Sequence, residues 1–215
     1  MLLFPNSNDT LNYNEINLDY VKNTRFLHLT SFAGDSPLQA QIKVAEDVHP
    51  QVKISFDPGE IYASRGLKEV GAIIERSYIV FLNDKEMKLL TGKSYKEGAK
   101  ELLGYGPSVI ACKLGAKGSY ITSSDEDFEI PGEKIKAVDT TGAGDVYNAG
   151  FLAGLLMNFS LSNCALFATK AAALSITGYG REKYPDRQFL KDFESLQGIA
   201  SAVAKAMADR RSSRE

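Results

Sequence analysis

The chain has 215 residues, room for one large domain, and its 44% hydrophobic and 24% charged content is that of an ordinary globular protein. Twenty-five Lys and Arg against 27 Asp and Glu give a formal net charge of −2, so no basic surplus argues for nucleic acid or a membrane surface as partner. Cys112 and Cys164 sit in apolar contexts that suit buried free thiols, and with only two histidines there is no ligand set for a zinc cluster. No apolar run reaches spanning length and MLLFPNSND is interrupted at Pro5, so the chain reads as soluble and cytoplasmic.

In chain order, RFLHLTSF (25–32) reads as a strand and SPLQAQIKVAEDVH (36–49) as a helix. VKISFDPG (52–59) is a second strand, followed by a helix over YASRGLKEVGAIIERS (62–77). YIVFLND (78–84) is a third, with helical segments around KEMKLLTG and YKEGAKELLG, and SVIACKLG (108–115) is a fourth. No helix separates SYITSS (119–124) from DFEIPG (127–132), which predicts an antiparallel appendage. Three helices are expected at 144–158, 161–177 and 187–207, then a charged tail at 210–215 that frays. Nearly continuous apolar strands between helices predict one α/β domain over 1–209, a doubly wound, mostly parallel sheet covered on both faces. Ligands of such sheets gather beyond the carboxyl ends of the strands. Asp57-Pro58-Gly59, Asn83-Asp84 and Lys113-Leu114-Gly115 fall there.

The stretch DTTGAGD (139–145) places three small residues before a carboxylate at the start of an amphipathic run. Free N–H groups and the helix dipole at such an entrance favour an anion, and Asp145 stands one residue on, able to take a proton from an acceptor hydroxyl. A carboxylate that simply caps the helix explains the same residues. A dinucleotide loop is disfavoured because Tyr147 stands where Gly or Ala is needed, and no stretch has Walker spacing. In FLNDKEMKLLTG, Asn83 and Glu86 lie three apart at a strand end. They suit a water-mediated Mg²⁺ site, but an N-cap with its capping box is the favoured reading. KLGAKG (113–118) is a turn that suits either a triphosphate or a plain strand connection. The small residues of KAAALSIT before TGYGREKYP allow close helix packing, with or without a flat slot beside them.

Together, DTTGAGDVYNAGFLAGLL, NDKE, KLGAKGSY and AAALSITGYG…P resemble, in the same order, the motifs of the ribokinase-like (PfkB) family of carbohydrate and nucleoside kinases. LDYVKNTRFLHLTSF and ISFDPG are similar to that family's middle strands, so the likeness covers nearly the whole chain. The resemblance implies ATP-dependent phosphoryl transfer to a hydroxyl of a sugar or nucleoside. It makes Asp145 the base and the N–H groups of Gly142, Ala143 and Gly144 the anion hole. Glu86, with Asn83, would organise Mg²⁺ through water. Lys113, Gly115 and Gly118 would border the nucleotide, with Gly180 near its base. Asp139 and Thr141 match positions that hold a monovalent cation such as K⁺ in several relatives. Thr169 stands on the adenine-side helix where ribokinase itself carries Asn. The family's N-terminal part, with its first strands, Gly-Gly motif, sugar-binding Asp and β-stranded lid, has no counterpart here, and MLLFPNSND resembles the stretch after the lid. An uncovered sheet edge then calls for a second subunit, as in a homodimer. The alternative is a weak or inactive nucleotide-binding module, because the lid excludes water and positions the acceptor.

Overall fold

Strands form where β-branched and aromatic residues run together between Asp, Gly and Asn, and the computed structural model, which describes residues 6–195, places six of them in one sheet. The chain divides into two compact units, Met1–Glu133 and Lys134–Glu215. In the first, the elements are α1 (Leu18–Lys22), β1 (Phe26–Thr30), α2 (Asp35–Asp47), β2 (Lys53–Asp57), α3 (Gly59–Ala63), α4 (Leu67–Arg76), β3 (Ser77–Asn83), α5 (Asp84–Thr91), α6 (Tyr95–Leu103), β4 (Val109–Lys113), β5 (Ser119–Ser123) and β6 (Asp127–Ile130). The strand order follows the chain from β1 to β6. β1 to β4 are parallel, and β5 and β6 add on antiparallel, as the missing helix between them predicts.

The parallel strands are buried on both faces. Ile79, Val80, Phe81 and Leu82 are consecutive in β3 and all 0% exposed, so residues of either parity are covered. Each such side chain contributes about 1.5–3 kcal/mol by leaving water. Ile54, Phe56, Val80, Leu82, Ile110 and Cys112 form one face of the core with Leu38, Ile73 and Ile74 of the helices. Register sets the functional rim: Thr30 lies opposite Asp57, and Asn83 opposite Lys113, so the polar strand ends read from the sequence share the carboxyl side of the sheet.

One expected element is different. The helix read at 62–77 is two helices, α3 and α4, broken at Arg65-Gly66 where the backbone takes φ 79° at Gly66, outside the helical basin. The short α1, whose N-cap Asn17 accepts from the Tyr20 N–H, was not anticipated.

The second unit holds α7 (Ala143–Leu156), α8 (Leu161–Ser175) and a helix that begins at 187 and is described to 195. The rest of the helix expected to 207, and the tail at 210–215, lie outside the described residues. α7 and α8 pack closely because their facing residues are small. A Cβ on Gly150 would lie 3.0 Å from the Ala168 Cα, and one on Gly154 2.9 Å from the Cys164 sulfur. Phe159, Phe167, Phe189 and Phe193 stack at 4.9–6.4 Å between ring centres, fixing the last helix to this pair. Cys112 and Cys164 are buried free thiols, each pushed up to about 12 by burial, as their contexts predict. No helix among the described residues is long and apolar enough to cross a membrane.

Candidate active site

In the first unit, the rim is built from strand ends and the turns that follow them. The Asn83 side chain accepts from the Glu86 N–H at 2.9 Å, and Glu86 Oε2 accepts from the Asn83 N–H at 2.7 Å, so the Asn-x-x-Glu motif forms a complete capping box on α5. Glu86 is only 7% exposed. Burial pushes its carboxyl above the usual range, the Asn83 N–H pulls it back, and the charge of Asp57 adds to the rise while that of Lys113 opposes it. Lys113 Nζ donates to Asp57 Oδ2 at 2.7 Å, with both side chains largely buried, and Asp57 Oδ1 accepts from the Gly59 N–H at 3.0 Å. Asp57 therefore ties the β2 turn to the end of β4. After β4, Gly115–Lys117 form a single 3₁₀ turn closed by the Leu114 N–H on the Gly118 carbonyl at 2.8 Å. A Cβ on Gly118 would lie 1.9 Å from the Ile130 oxygen, so close backbone contact with β6 alone demands glycine there.

In the second unit, α7 begins differently. Its N-cap is Gly142, left-handed at φ 78°, ψ 0°, values that suit the third position of a type II turn. The Ala143 N–H closes that turn on the Thr140 carbonyl at 3.2 Å. No side chain caps the helix. The N–H groups of Gly142, Gly144 and Asp145 have no acceptor among the described residues, and the first intrahelical bond is that of Val146 to the Gly142 carbonyl at 2.9 Å. Asp145 does not fold back onto the amides. It lines a cavity of about 800 Å³, the size of a small-molecule site, whose walls are mostly apolar and include Val146, Gly150, Ala153, Phe167 and Leu190. Tyr184, Asp186 and Arg187 line the same cavity.

Asp139 organises the approach to this entrance. Its Oδ1 accepts from the Thr141 N–H at 2.9 Å and its Oδ2 from the Gly180 N–H at 3.2 Å. These bonds, with the Thr141 side chain, hold its carboxyl below the usual range. Gly180 is thus brought to the DTTGAGD turn by a hydrogen bond, across 41 residues of sequence. Thr169 lies in α8, 7% exposed, with an Oγ1 that is buried and without a hydrogen-bond partner among the described residues.

The residues singled out from sequence therefore form two groups. Asn83, Glu86, Lys113, Gly115 and Gly118 belong to the sheet-bearing unit, where Asn83 meets Glu86 and Lys113 meets Asp57. Asp139, Thr141, Gly142, Ala143, Gly144, Asp145, Thr169 and Gly180 belong to the helical unit. Of the three N–H groups that the resemblance assigns to an anion hole, that of Ala143 is engaged in the turn, while those of Gly142 and Gly144, like that of Asp145, have no acceptor among the described residues. Tyr184, within TGYGREKYP, carries no motif or spacing that marks it for a role. A side chain at 142 would place its Cβ 2.8 Å from the Tyr184 hydroxyl, so this phenol sits directly against the α7 entrance.

Residues 2–186 match the pfkB family carbohydrate kinase profile. An uncharacterized sugar kinase of Archaeoglobus fulgidus is 36% identical over 86% of this chain and 74% of its own length. A nucleoside kinase of Methanocaldococcus jannaschii is 31% identical over 74% of this chain and 51% of its own. A solved structure of Arabidopsis thaliana ribokinase complexed with ribose and ATP superposes with a TM-score of 0.71 at 25% identity, covering 82% of this chain and 57% of that one. The chain thus spans between about half and three quarters of the length of these three proteins.

Proposed function

The chain belongs to the pfkB family of carbohydrate kinases, and from that premise we propose that it transfers the terminal phosphoryl group of ATP to a hydroxyl of a sugar or nucleoside. The observation that carries this reading is the α7 entrance, where three N–H groups lack acceptors and the adjoining carboxylate lines a cavity instead of capping the helix. Asp145 takes the proton of the acceptor hydroxyl as the hydroxyl oxygen bonds to the γ-phosphorus, and the bond from that phosphorus to the β–γ bridging oxygen breaks with its electron pair leaving on ADP. The N–H groups of Gly142, Gly144 and Asp145 hold the charge on the moving group, at no cost in reorganisation because the turn fixes them beforehand. Thr140 and Ala143 serve this arrangement by closing the turn.

The donor chemistry of the rim suits a nucleotide with its metal. Among the described residues no group of three or more His, Cys, Asp or Glu could cage a metal ion. That agrees with Mg²⁺, which keeps most of its waters and needs few protein oxygens. Glu86 would hold it through water, using the carboxylate edge that the Asn83 N–H leaves over, and the ion neutralises phosphate charge when bound. In the first unit Asn83, Lys113, Gly115 and Gly118 are the residues proposed to serve the nucleotide, and in the second unit Thr169 and Gly180 are those that the family resemblance assigns to it. The Asp139–Thr141 turn is the place for a monovalent cation such as K⁺.

The test is product formation from ATP with a panel of ribose, fructose, 2-keto-3-deoxygluconate, adenosine and cytidine, with Asp145→Asn as the control. Turnover on one acceptor that falls about 10²–10⁴-fold in the variant is expected of a lost general base. Turnover that survives the substitution removes the base assignment. Nucleotide binding with no product from any acceptor would favour the reading of a binding module without catalysis.

A further inference from the structure

We propose that Tyr184 is a further catalytic residue, its phenol donating a hydrogen bond to the transferring phosphoryl group held at the α7 entrance; this rests on the phosphotransfer reading above. Four observations carry it. The hydroxyl lies against Gly142, at 2.8 Å from where a Cβ would be, on the residue whose N–H opens the anion hole. The same phenol lines the cavity that Asp145 lines. The hydroxyl makes no hydrogen bond among the described residues and the residue is 39% exposed, so the phenol is accessible to a ligand and free to donate to it. Its position is also held from both sides. The Tyr184 N–H donates to the Arg181 carbonyl at 3.3 Å, and after Pro185 the last helix is capped by Asp186, whose Oδ1 accepts from the N–H groups of Gln188 at 2.9 Å and Phe189 at 3.0 Å.

The chemistry is that of a fourth donor. Three amides without acceptors among the described residues stand at the α7 entrance, and a phenol beside Gly142 adds a donor from a different chain segment. A donor that meets the group only as charge develops on it acts on kcat and leaves ground-state nucleotide affinity alone. Gly142 is then required twice, once by its left-handed backbone and once because a Cβ would displace the hydroxyl.

Tyr184→Phe keeps the ring on Gly142 and removes only the donor, and an unchanged melting temperature verifies its fold. The expected result is a loss of about tenfold in kcat with KM for ATP unchanged, the scale of one hydrogen bond to a charged group. A second arm uses calorimetry with ADP plus tetrafluoroaluminate, a mimic of the phosphoryl group in flight. There Tyr184→Phe should lose about tenfold in affinity for the ternary complex and nothing for ADP alone. Wild-type values of kcat and of tetrafluoroaluminate affinity in the variant would overturn the proposal. Should the wild-type chain transfer to no acceptor, the functional reading fails by itself and the binding arm still decides. A tenfold loss there sustains the role of the hydroxyl, and equal affinity or no fluoride-dependent binding removes it.

Discussion

The entrances of α5 and α7 invite comparison, since one leaves a strand directly and the other follows a turn, yet each carries acid in its first turn, Asp84 and Glu86 in one and Asp145 in the other. At α5 the side chains turn inward. Asn83 and Glu86 satisfy each other's N–H groups at 2.9 and 2.7 Å, so each side chain engages one of the donors at that start. At α7 the cap is a glycine without a side chain, and three N–H groups have no acceptor among the described residues, beside a carboxylate that lines a cavity. Both are legitimate helix starts. The first is secured by a reciprocal side-chain cap, and the second, under the proposed function, presents its donors to an anion.

That contrast can be broken most forcefully at Gly142. Replacing it by Ala forces a side chain into the left-handed region, which costs about 1–2 kcal/mol, and thrusts a Cβ at the Tyr184 hydroxyl. A lower melting temperature together with near-complete loss of transfer is expected, read by thermal denaturation and product formation. A variant as stable and active as wild type would mean the turn is not what opens the site. Asn83→Ala at the other entrance should cost about 1 kcal/mol, the ordinary worth of an N-cap, measured as a shift in the urea midpoint. An Asn83→Ala midpoint equal to wild type would show the capping box to be idle.

A smaller effect concerns Glu86, whose carboxyl is held above its ordinary value by burial. A raised acid in the folded state binds protons that the unfolded chain has released, so stability falls as pH rises from the unfolded value to the folded one. Glu86→Gln retains an acceptor for the Asn83 N–H without the buried charge. It should therefore be slightly more stable than wild type at pH 8, with the gap closing as the pH drops below the normal carboxylate range. Urea titrations at several pH values check this, and a gap that widens towards acid would reverse the sign and the explanation.

Much of the fold was legible because its signals are local. The six strands lie within three residues of their expected bounds, since apolar runs ended by Asp, Asn or Gly leave little freedom of placement. The split of 62–77 was missed because an amphipathic pattern continues across Gly66 even where the backbone does not. NDKE announced its capping box through a spacing of three, which is a property of a single turn. The role of Asp145 was ambiguous on the same grounds, because a cap and a base occupy the same place in a string of residues. Geometry removes the cap among the described residues, since the carboxylate bonds no amide of the helix start, and the base remains the reading proposed above. Tyr184 lies 42 residues beyond Gly142, and no period or motif links the two; their contact exists only once the last helix is capped and packed on α7 and α8.

The most direct test follows amide resonances of the labelled wild-type chain as inorganic phosphate is added in metal-free buffer. An anion seated at the open helix start should move the signals of Gly142, Gly144 and Asp145 and leave those of Asn83 and Glu86 in place. Shifts confined to the capped start at Asn83, or none at either, would contradict the account.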